Sequence, residues 1–463
     1  MANLYPVLID LGVDFKKGNF KPVYQGENKE TYFLDSKSFQ KINKTILFGE
    51  FGYRKSYERN LDFSNLNNPA MNQPYLLADT IGNDTYEREV FNLSGAISSP
   101  VNDNFDWGLK FDYKVGVAAQ NRDPRPENKV LQLNLSPGLL WKLTKIKLGV
   151  NLNYNYYNED IDISVVKENT EYAMFQLHGL GTSNYHVSSS FYRLYKQNKL
   201  GGGAQLSIET GNIENISIGS LSFLDQRVDD GRKASGANWA TVKNDAKLVG
   251  FDYKFENITT LKKSGRINQL TLKFDMASRM GTEYIQRLEK TGETDLEQWI
   301  TYGAEGKYFS KSVNLNAGYS LINLKANGQI NSLINLKAIS SSFLEKYYLP
   351  DLNLKYQNLR LEGSYLKAFL SGKNSVSAEI RMAYQTNISA TENLMQNSFI
   401  TDKILQPNFE FITADFIAPG ASVSYEIPIK KINKYYIKTD FDWFRSNDGH
   451  SRTCLNFSTG IIF

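Results

Sequence analysis

Apolar and polar residues alternate strictly over long stretches of this sequence. In the segment 105–117 every odd position is apolar and every even position is charged or glycine. Successive side chains of a β-strand point to opposite faces of the sheet, so this segment has one apolar and one polar face. The same alternation recurs at 146–156, 270–276, 313–321 and 435–443. The pattern predicts an all-β protein built from amphipathic strands.

The length of these strands favours a membrane barrel. The alternating segments run for about 10–14 residues, whereas strands of soluble sheets usually have five or six and a tilted strand needs about 9–11 to cross a bilayer. A sheet in lipid must close, because an open edge would leave backbone amides unpaired. We therefore predict a single closed antiparallel transmembrane β-barrel over residues 1–463, with about 18 strands (16–18 expected, 14 as the lower alternative) and both termini in the periplasm. A soluble all-β sandwich with one solvated face is the structural alternative.

The connections are expected to differ in length between the two rims of the barrel, with short periplasmic turns and long extracellular loops. Short turns are expected near 143–145, Gln197-Asn198, Ser264-Gly265 and Gly372-Lys373. Long polar loops are expected at 58–85, 158–183, 209–246, 280–296, 327–352 and 386–411. The heptapeptide Ser320–Ala326 is repeated as Ser332–Ala338, and the two copies are expected to form an additional hairpin or to extend strands beyond the membrane.

Composition excludes several other classes of protein. No run of about 18 apolar residues is present, which excludes a helical membrane protein. The chain has 53 basic and 49 acidic residues, so it lacks the basic surplus of a nucleic-acid-binding protein. It has one cysteine, and we therefore expect neither a disulfide framework nor a cysteine-based metal site. We also expect no cofactor. The apolar run at 4–10 lacks a basic segment and a cleavage site, so we do not interpret it as a signal peptide.

The polar rows place charged side chains of both signs on the predicted inner face. The structural interpretation is that these charges form neutralising ion pairs within the lumen, because inward charges need partners. The alternative is a hydrated channel with weak ion preference. The residues expected to face the lumen are Asp106, Lys110, Asp112, Lys114, Lys147, Lys273, Asp275, Glu379, Arg381, Lys438, Asp440 and Asp442.

A catalytic interpretation has little support in the sequence. Of the three histidines, His178 and His186 lie near Ser183 and the run 188–190. A Ser-His-carboxylate triad requires convergence in space, which spacing does not show, and two histidines eight residues apart match no standard metal motif. We expect no catalytic residues, no metal site and no enzymatic activity, and keep a hydrolase at the outer rim as an alternative.

The C-terminal strand ends in phenylalanine. Leu455, Phe457, Thr459, Ile461 and Phe463 share one face of this strand. A last strand ending in this way is similar to the signal that bacterial outer-membrane barrels present to their insertion machinery. We therefore expect Phe463 to act as an insertion signal, and the insertion machinery and outer-membrane lipids to be partners.

Three segments carry a family resemblance: 73–80 (QPYLLADT), 123–128 (DPRPEN) and 177–185 (LHGLGTSNY). Together with the Phe-terminated strand they resemble the Bacteroidota outer-membrane β-barrel family of unknown function (domain of unknown function 6850). The resemblance implies integration in the outer membrane of a Gram-negative cell. It also implies an association with surface lipoproteins and TonB-dependent receptors in loci for nutrient or metal acquisition.

The motif residues in these segments have two interpretations. Asp123, Pro124, Arg125 and Pro126 form a rigid loop tip, in which Arg125 is expected to pair with Asp123 or Glu127. His178, Gly179 and Gly181 form a flexible turn through which backbone passes close to a neighbour. Either these residues serve loop architecture alone, or their loops fold inward to constrict the pore or dock a surface partner.

Three functions follow from these observations. The first is transport, or a membrane-embedded accessory or scaffold of a surface nutrient- or metal-acquisition complex, with surface lipoproteins or a TonB-dependent receptor as partners. The second is a passive, porin-like diffusion channel for small solutes. The third is the hydrolase at the outer rim.

Overall fold

The computed structural model describes residues 7–82, 84–231, 242–291, 296–326, 328–371, 374–429 and 432–463. Antiparallel strands dominate the described chain. The strands of the barrel wall are β1 (Val7–Gly18), β2 (Asn28–Ile42), β3 (Thr45–Leu61), β5 (Asp84–Pro100), β6 (Phe105–Gln120), β7 (Arg125–Lys142), β8 (Ile146–Ser164), β11 (Ser190–Thr210), β12 (Ile213–Asp230), β13 (Lys243–Lys263), β14 (Arg266–Thr291), β15 (Leu296–Leu324), β16 (Ile330–Tyr347), β17 (Leu352–Ser371), β18 (Asn374–Asn393), β19 (Phe416–Ile429), β20 (Ile432–Ser446) and β21 (Ser451–Ile462). Three short strands lie in loops: β4 (Leu77–Asp79), β9 (Tyr172–Gly179) and β10 (Thr182–Ser188).

The wall strands form a closed ring of 18. Each pairs with the next wall strand along the chain, and β8 pairs with β11 because β9 and β10 belong to the intervening loop. The ring closes where β1 pairs with β21, with Leu8 opposite Ile462. Closure removes the sheet edges, as a bilayer requires. The prediction of a closed antiparallel barrel with about 18 strands is confirmed.

The inward face of β8 changes in polarity along the strand. This change marks the height above which the lumen is filled. In its lower part Leu148, Val150 and Leu152 are exposed on one face, and asparagines at 151, 153 and 155 occupy the other. Above them, Tyr157 and Ile161 lie on the asparagine face and are completely buried. The inward face therefore changes from polar to apolar toward the outer rim, while the opposite face becomes polar.

The connections differ between the rims, although less regularly than expected. The turns at 143–145 and Ser264-Gly265 lie at the rim that carries both termini, whereas the long loops at 62–83, 165–189 and 394–415 lie at the other. The predicted turn at Gln197-Asn198 is wrong, because both residues lie within β11. Above the lipid-facing rows a wall strand is polar on its outer face, so a polar pair there does not indicate a turn.

Three predicted loops are also largely wrong. The interval 209–246 contains β12, the interval 327–352 contains β16, and residues 280–291 of the interval 280–296 belong to β14. In β16 the serines at 340–342 interrupt the apolar row and conceal the strand. The heptapeptide copies lie on β15 and β16 and pair with each other, with Ser320 opposite Asn335. The predicted turn at 372–373 lies outside the described residues.

Three of the long loops fold into the outer half of the barrel. We call the residues 62–82, 165–189 and 394–415 the plug. They contain the helix α1 (Pro69–Asn72), the three-stranded sheet β10-β9-β4, a π-helical turn (Thr401–Leu405) and the helix α2 (Gln406–Thr413). No helix in the described residues is long and apolar enough to cross a membrane. Plug and wall residues together form one buried apolar core, which is where the protein interior lies.

Candidate functional site

The first plug segment is fixed to the wall by buried hydrogen bonds. The wall carboxylate Glu159 accepts hydrogen bonds from the Asn67 backbone N–H and from the Asn72 side-chain amide, each at 2.7 Å. The Tyr195 hydroxyl donates to the Tyr75 carbonyl at 2.6 Å. A buried carboxylate without donors would be strongly destabilising, so these contacts fix the segment in one position.

The second plug segment is the hairpin β9–β10, and it joins two of the sequence motifs. Leu77 lies opposite Gln176 in the inner sheet, and the Leu177 N–H donates to the Leu76 carbonyl at 2.8 Å. The segments 73–80 and 177–185, which are far apart in sequence, therefore meet inside the barrel. A loop that folds inward is one of the two interpretations of these motifs, and the structure has that geometry.

The hairpin turn requires glycine. Gly179 and Gly181 have φ values of +121° and +94°, a region that favours glycine. A Cβ at Gly181 would lie 2.8 Å from the Cβ of Met395 in the third plug segment. The Met395 N–H donates to the Leu180 carbonyl at 3.1 Å, so the turn and the third segment are held together.

The hairpin covers a buried charged cluster on the wall. Arg193 is completely buried, and its guanidinium bonds both oxygens of Asp230 at 2.7 and 2.8 Å. It also bonds Asp245 at 2.8 Å. From the plug side, the Gln176 amide donates to Asp230 at 2.7 Å. One cation thus neutralises two carboxylates that the plug shields from water.

His178 of the hairpin lies between two wall carboxylates. Its Nε2 is 3.3 Å from Asp245 and its Nδ1 is 3.7 Å from Glu283. Among the described residues no serine hydroxyl lies within hydrogen-bonding distance of this ring, and the His186 ring packs against Phe191 with centroids 5.7 Å apart. The ring of His178 therefore anchors the hairpin between two wall carboxylates. The described residues also contain no group of three His, Cys, Asp or Glu side chains able to hold a metal ion.

The third plug segment is bound by amides of the wall. Asn358 donates to the Ile412 carbonyl at 2.9 Å, and the Asn387 N–H donates to Asp415 at 2.6 Å. The loop between β1 and β2 contributes as well, because the Val23 N–H donates to Asn408 at 2.8 Å.

Aromatic rings connect the three segments to each other. Phe399 packs edge-on against Phe63 at 5.3 Å and stacks on Phe175 at 5.4 Å. Phe175 in turn contacts Tyr185 at 5.4 Å. Such ring pairs add specific geometry to the apolar burial. The plug is therefore one packed unit.

One acidic residue of the plug is buried and has no cationic partner among the residues that the structure describes. Asp79 is 2% exposed, and its carboxylate accepts a hydrogen bond from the Ile81 N–H at 2.8 Å. Burial raises the pKa of Asp79 to about 7, and the nearby Asp84 adds to this shift. The folded plug therefore favours the protonated form of Asp79.

The third motif forms the tip between β6 and β7. Arg125 is paired with Asp123 at 2.7 Å. Asp123 also accepts the backbone N–H groups of Val166 and Lys167 at 3.2 and 2.9 Å, and these bonds lower its pKa. Pro124 and Pro126 flank Arg125 in this tip. Through the hydrogen bonds of Asp123, the tip holds the start of the second plug segment.

Several charged residues that we expected in the lumen form one cluster. Arg381 is within 3.3 Å of Glu379, Asp440 and Asp442, and Lys438 is 2.8 Å from Asp440. Arg381 lies two residues from Ala383, which packs in a core with Phe416 near the plug. The cluster therefore lies on the strand face that carries plug contacts.

The other residues of this set are more dispersed. Asp106 pairs with Lys142, Lys110 with Asp112, and Lys273 with Glu256. Within the described part of the chain no ion pair involves Lys114, Lys147 or Asp275. At the C-terminus, the Phe463 N–H donates to the Val7 carbonyl at 2.9 Å, across the seam where the barrel closes.

Sequence reasoning did not identify the residues that hold the plug. Glu159, Arg193, Asp230 and Asp245 lie on strand segments that we expected to be loops, turns or plain wall. The detectable signal is the run 157–163, where an apolar row resumes on the face that was polar below.

The closed ring, its exposed apolar rows and its inward-folded loops define an integral outer-membrane β-barrel with a plug in its outer half. The sequence profile of the family of unknown function DUF6850 matches residues 8–463, and the chain belongs to this family.

Solved structures share the barrel architecture at low similarity. The RagAB peptide transporter is 7% identical, with a TM-score of 0.45, over 100% of this chain and 87% of that one. The outer membrane transporter YddB from Escherichia coli is 8% identical, with a TM-score of 0.44, over 99% and 81%. The ferric-catecholate import receptor Fiu from E. coli K12 is 8% identical, with a TM-score of 0.43, over 100% and 82%. Scores at this level assign neither substrate nor partner. Among curated proteins, no sequence matches the chain.

Proposed function

We propose that this protein is a plugged outer-membrane barrel that acts in transport as a membrane-embedded accessory of a surface complex for nutrient or metal acquisition. The observation that supports this function is the packed plug. A passive diffusion channel needs a hydrated path, whereas here plug and wall share one buried core. The proposal therefore assigns recognition and docking to the outer surface.

The distribution of plug contacts around the barrel wall supports this interpretation. Wall residues of the shared core come from β7, β8, β11 to β13 and β15 to β17, and further buried contacts involve β18 and β19. On the remaining side, Arg88 and Lys29 surround the buried carboxylate of Glu58, which accepts the Gly26 N–H at 2.9 Å. These contacts fix the loop between β1 and β2, which packs against the shared core through Val23 and Tyr24.

A projecting ribbon offers a surface for a partner. β14 pairs with β13 only as far as Glu283, and β15 pairs with β16 only from Tyr308 onward. Beyond these points the two strands pair with each other alone and expose Ile285, Leu288 and Tyr302. Exposed apolar side chains on a projecting element are typical of interaction sites. A surface lipoprotein or a TonB-dependent receptor as the partner, and a Bacteroidota source, belong to this proposal through the family resemblance alone.

The lumen-facing role of the charged residues is part of the same proposal. The cluster around Arg381 would line the space below the plug, where its ion pairs neutralise an otherwise acidic wall. Phe463 would serve as the insertion signal. No catalytic step is assigned, because His178 contacts two carboxylates and no serine hydroxyl of the described segments is bonded to its ring.

Conductance in planar lipid bilayers tests this function. The wild-type barrel is expected to show no stable open current, and a variant with residues 172–188 replaced by a short Gly-Ser linker is expected to conduct. Shortening of the ribbon at 286–301 is the matched control, because it removes a segment of similar length, and none of its described residues belongs to the plug core. Stable, ohmic current through the wild-type protein would instead establish the passive diffusion channel.

Co-purification tests the accessory role separately. Extraction of the natively expressed protein in a mild detergent is expected to yield a complex with a surface partner, and the ribbon-shortened variant is expected to lose it. Recovery of the wild-type barrel as a lone monomer under these conditions would contradict the accessory role.

A further inference from the structure

A cavity of about 750 Å³ opens at the outer side of the plug. It lies between β10 and the outermost residues of the neighbouring wall strands, including Ser190 at the start of β11 and Lys243 at the start of β13. Trp299 on the ribbon completes its wall. The volume falls in the range of small-molecule sites, about 300–1,000 Å³.

Two aromatic rings in this cavity are held in place by contacts with neighbouring side chains. Tyr185 is 62% exposed, and its ring rests on Phe175 at 5.4 Å. The Trp299 ring is covered by the ammonium group of Lys243, which lies 5.5 Å from its centroid. Rings whose positions are fixed before binding offer flat apolar surfaces at a small entropic cost.

The charges at the cavity are balanced within the protein. Asp230 at its floor is bonded to the buried guanidinium of Arg193 and to the Gln176 amide. The ammonium of Lys243 lies over the Trp299 ring, and the carboxylate of Asp162 supplies a charge of the opposite sign in the same lining. A strongly charged ligand would therefore meet no unbalanced field of opposite sign, and its desolvation would be uncompensated.

Neutral hydrogen-bonding groups remain available at this cavity. Asn184 supplies a planar amide, and β10 is the edge strand of the inner sheet, so one side of its backbone has no strand partner in the described part of the chain. Amides beside fixed aromatic faces suit a ligand that carries many hydroxyls and has apolar C–H patches on its rings. We infer that this cavity is a binding site for a neutral oligosaccharide.

This inference deepens the proposed function, on which it rests only for the outward orientation of the site. An accessory barrel that binds a glycan would concentrate it at the cell surface for a partner transporter. The site itself does not depend on whether the lumen conducts.

Isothermal titration calorimetry with the full-length barrel tests the inference. The protein is kept in a detergent without a sugar headgroup, such as an amine oxide, because a glycoside detergent would compete. The probes are hexasaccharides of α- and β-linked glucose, mannose, xylose and galactose, with hexagalacturonate as the charged counterpart. At least one neutral hexasaccharide is expected to bind with a Kd below about 1 mM.

Two variants assign the binding to the cavity. Tyr185→Ala and Trp299→Ala are each expected to weaken the affinity at least tenfold. Tyr348→Ala removes another exposed tyrosine at a different outer connection and is expected to leave it unchanged. Retention of the folded barrel is checked for each variant by heat-modifiable migration in electrophoresis.

Three results would overturn the inference: no neutral probe binds at 10 mM, about the weakest affinity of interest; hexagalacturonate binds more tightly than every neutral probe; or binding survives both aromatic substitutions. None of these results bears on conductance. Failure of the glycan site and failure of the plugged-barrel function are therefore distinguished.

Discussion

Replacement of Arg193 by methionine is expected to release the hairpin β9–β10 from the wall. Arg193 is the only arginine or lysine paired with Asp230 and Asp245 among the described residues, and all three side chains are buried beneath the plug. Methionine fills much of the same space but removes the guanidinium from both carboxylates, which leaves only the His178 ring near Asp245. When the hairpin moves away, water solvates these carboxylates, so the penalty falls on the closed state alone.

The magnitude follows from the burial of the cluster. Removal of one partner of a buried ion pair typically costs about 3–5 kcal/mol, because the remaining charge is uncompensated. At 25 °C this corresponds to a roughly 150- to 5,000-fold increase in the population of the open hairpin. Additional substitutions of both aspartates by asparagine are expected to restore most of the closed state, since they remove the uncompensated charges.

Hydrogen exchange measured by mass spectrometry reports this population directly. Amides of residues 172–179, which pair within the inner sheet, are expected to exchange faster by the same factor in the Arg193→Met variant. The control is Lys434→Ala, which breaks a 2.8 Å ion pair with Glu426 between partly exposed side chains and is expected to leave exchange in 172–179 unchanged. Equal protection of 172–179 in wild type and Arg193→Met would refute the reasoning that charge neutralisation holds the plug.

Three further outcomes are expected. Because burial raises the pKa of Asp79 to about 7 from an ordinary value of 3.8, ionisation of this side chain opposes the folded plug. Protection of the plug amides against exchange should therefore fall as the pH rises from about 4 to 7 and level off above pH 7. Asp79→Asn should abolish this pH dependence, and an unchanged pH profile in that variant would contradict the prediction. Gly281→Ala should loosen the plug, because the new Cβ would overlap the Tyr75 hydroxyl, while Gly219→Ala, which meets nothing within 4 Å, should not; equal exchange in both variants would count against the packing described. In the conducting variant that lacks 172–188, Arg381→Ala should increase cation selectivity in reversal-potential measurements, because its three acidic neighbours lose their counter-charge; unchanged selectivity would place the cluster outside the conduction path.

The barrel could be predicted from the sequence because lipid imposes a simple rule on every spanning strand. The row from Phe105 to Val117 is apolar at each outward position, and that regularity fixes both the strand and its orientation. Where the strands leave the membrane the rule no longer holds. Gln197 and Asn198 then resemble a turn, although Gln197 is buried against the plug side and Asn198 accepts a hydrogen bond from Tyr154 on the outer face.

The plug could not be predicted in the same way. Its inner sheet pairs Leu77 with Gln176 across about 100 residues of intervening chain, and no local pattern encodes such a partner. Short strands in a polar loop have the composition of loops. The charged cluster was hidden for a different reason, since Arg193, Asp230 and Asp245 come from three successive wall strands and meet only once those strands have paired, with Arg193 directly opposite Asp230.

A density map of the purified protein in lipid nanodiscs tests the central claim most directly. A ring of 18 strands is expected, with continuous density across its outer half that connects to the loops after β3, β8 and β18. A ring with an empty lumen, or with those three loops extended into solvent above the rim, would contradict it.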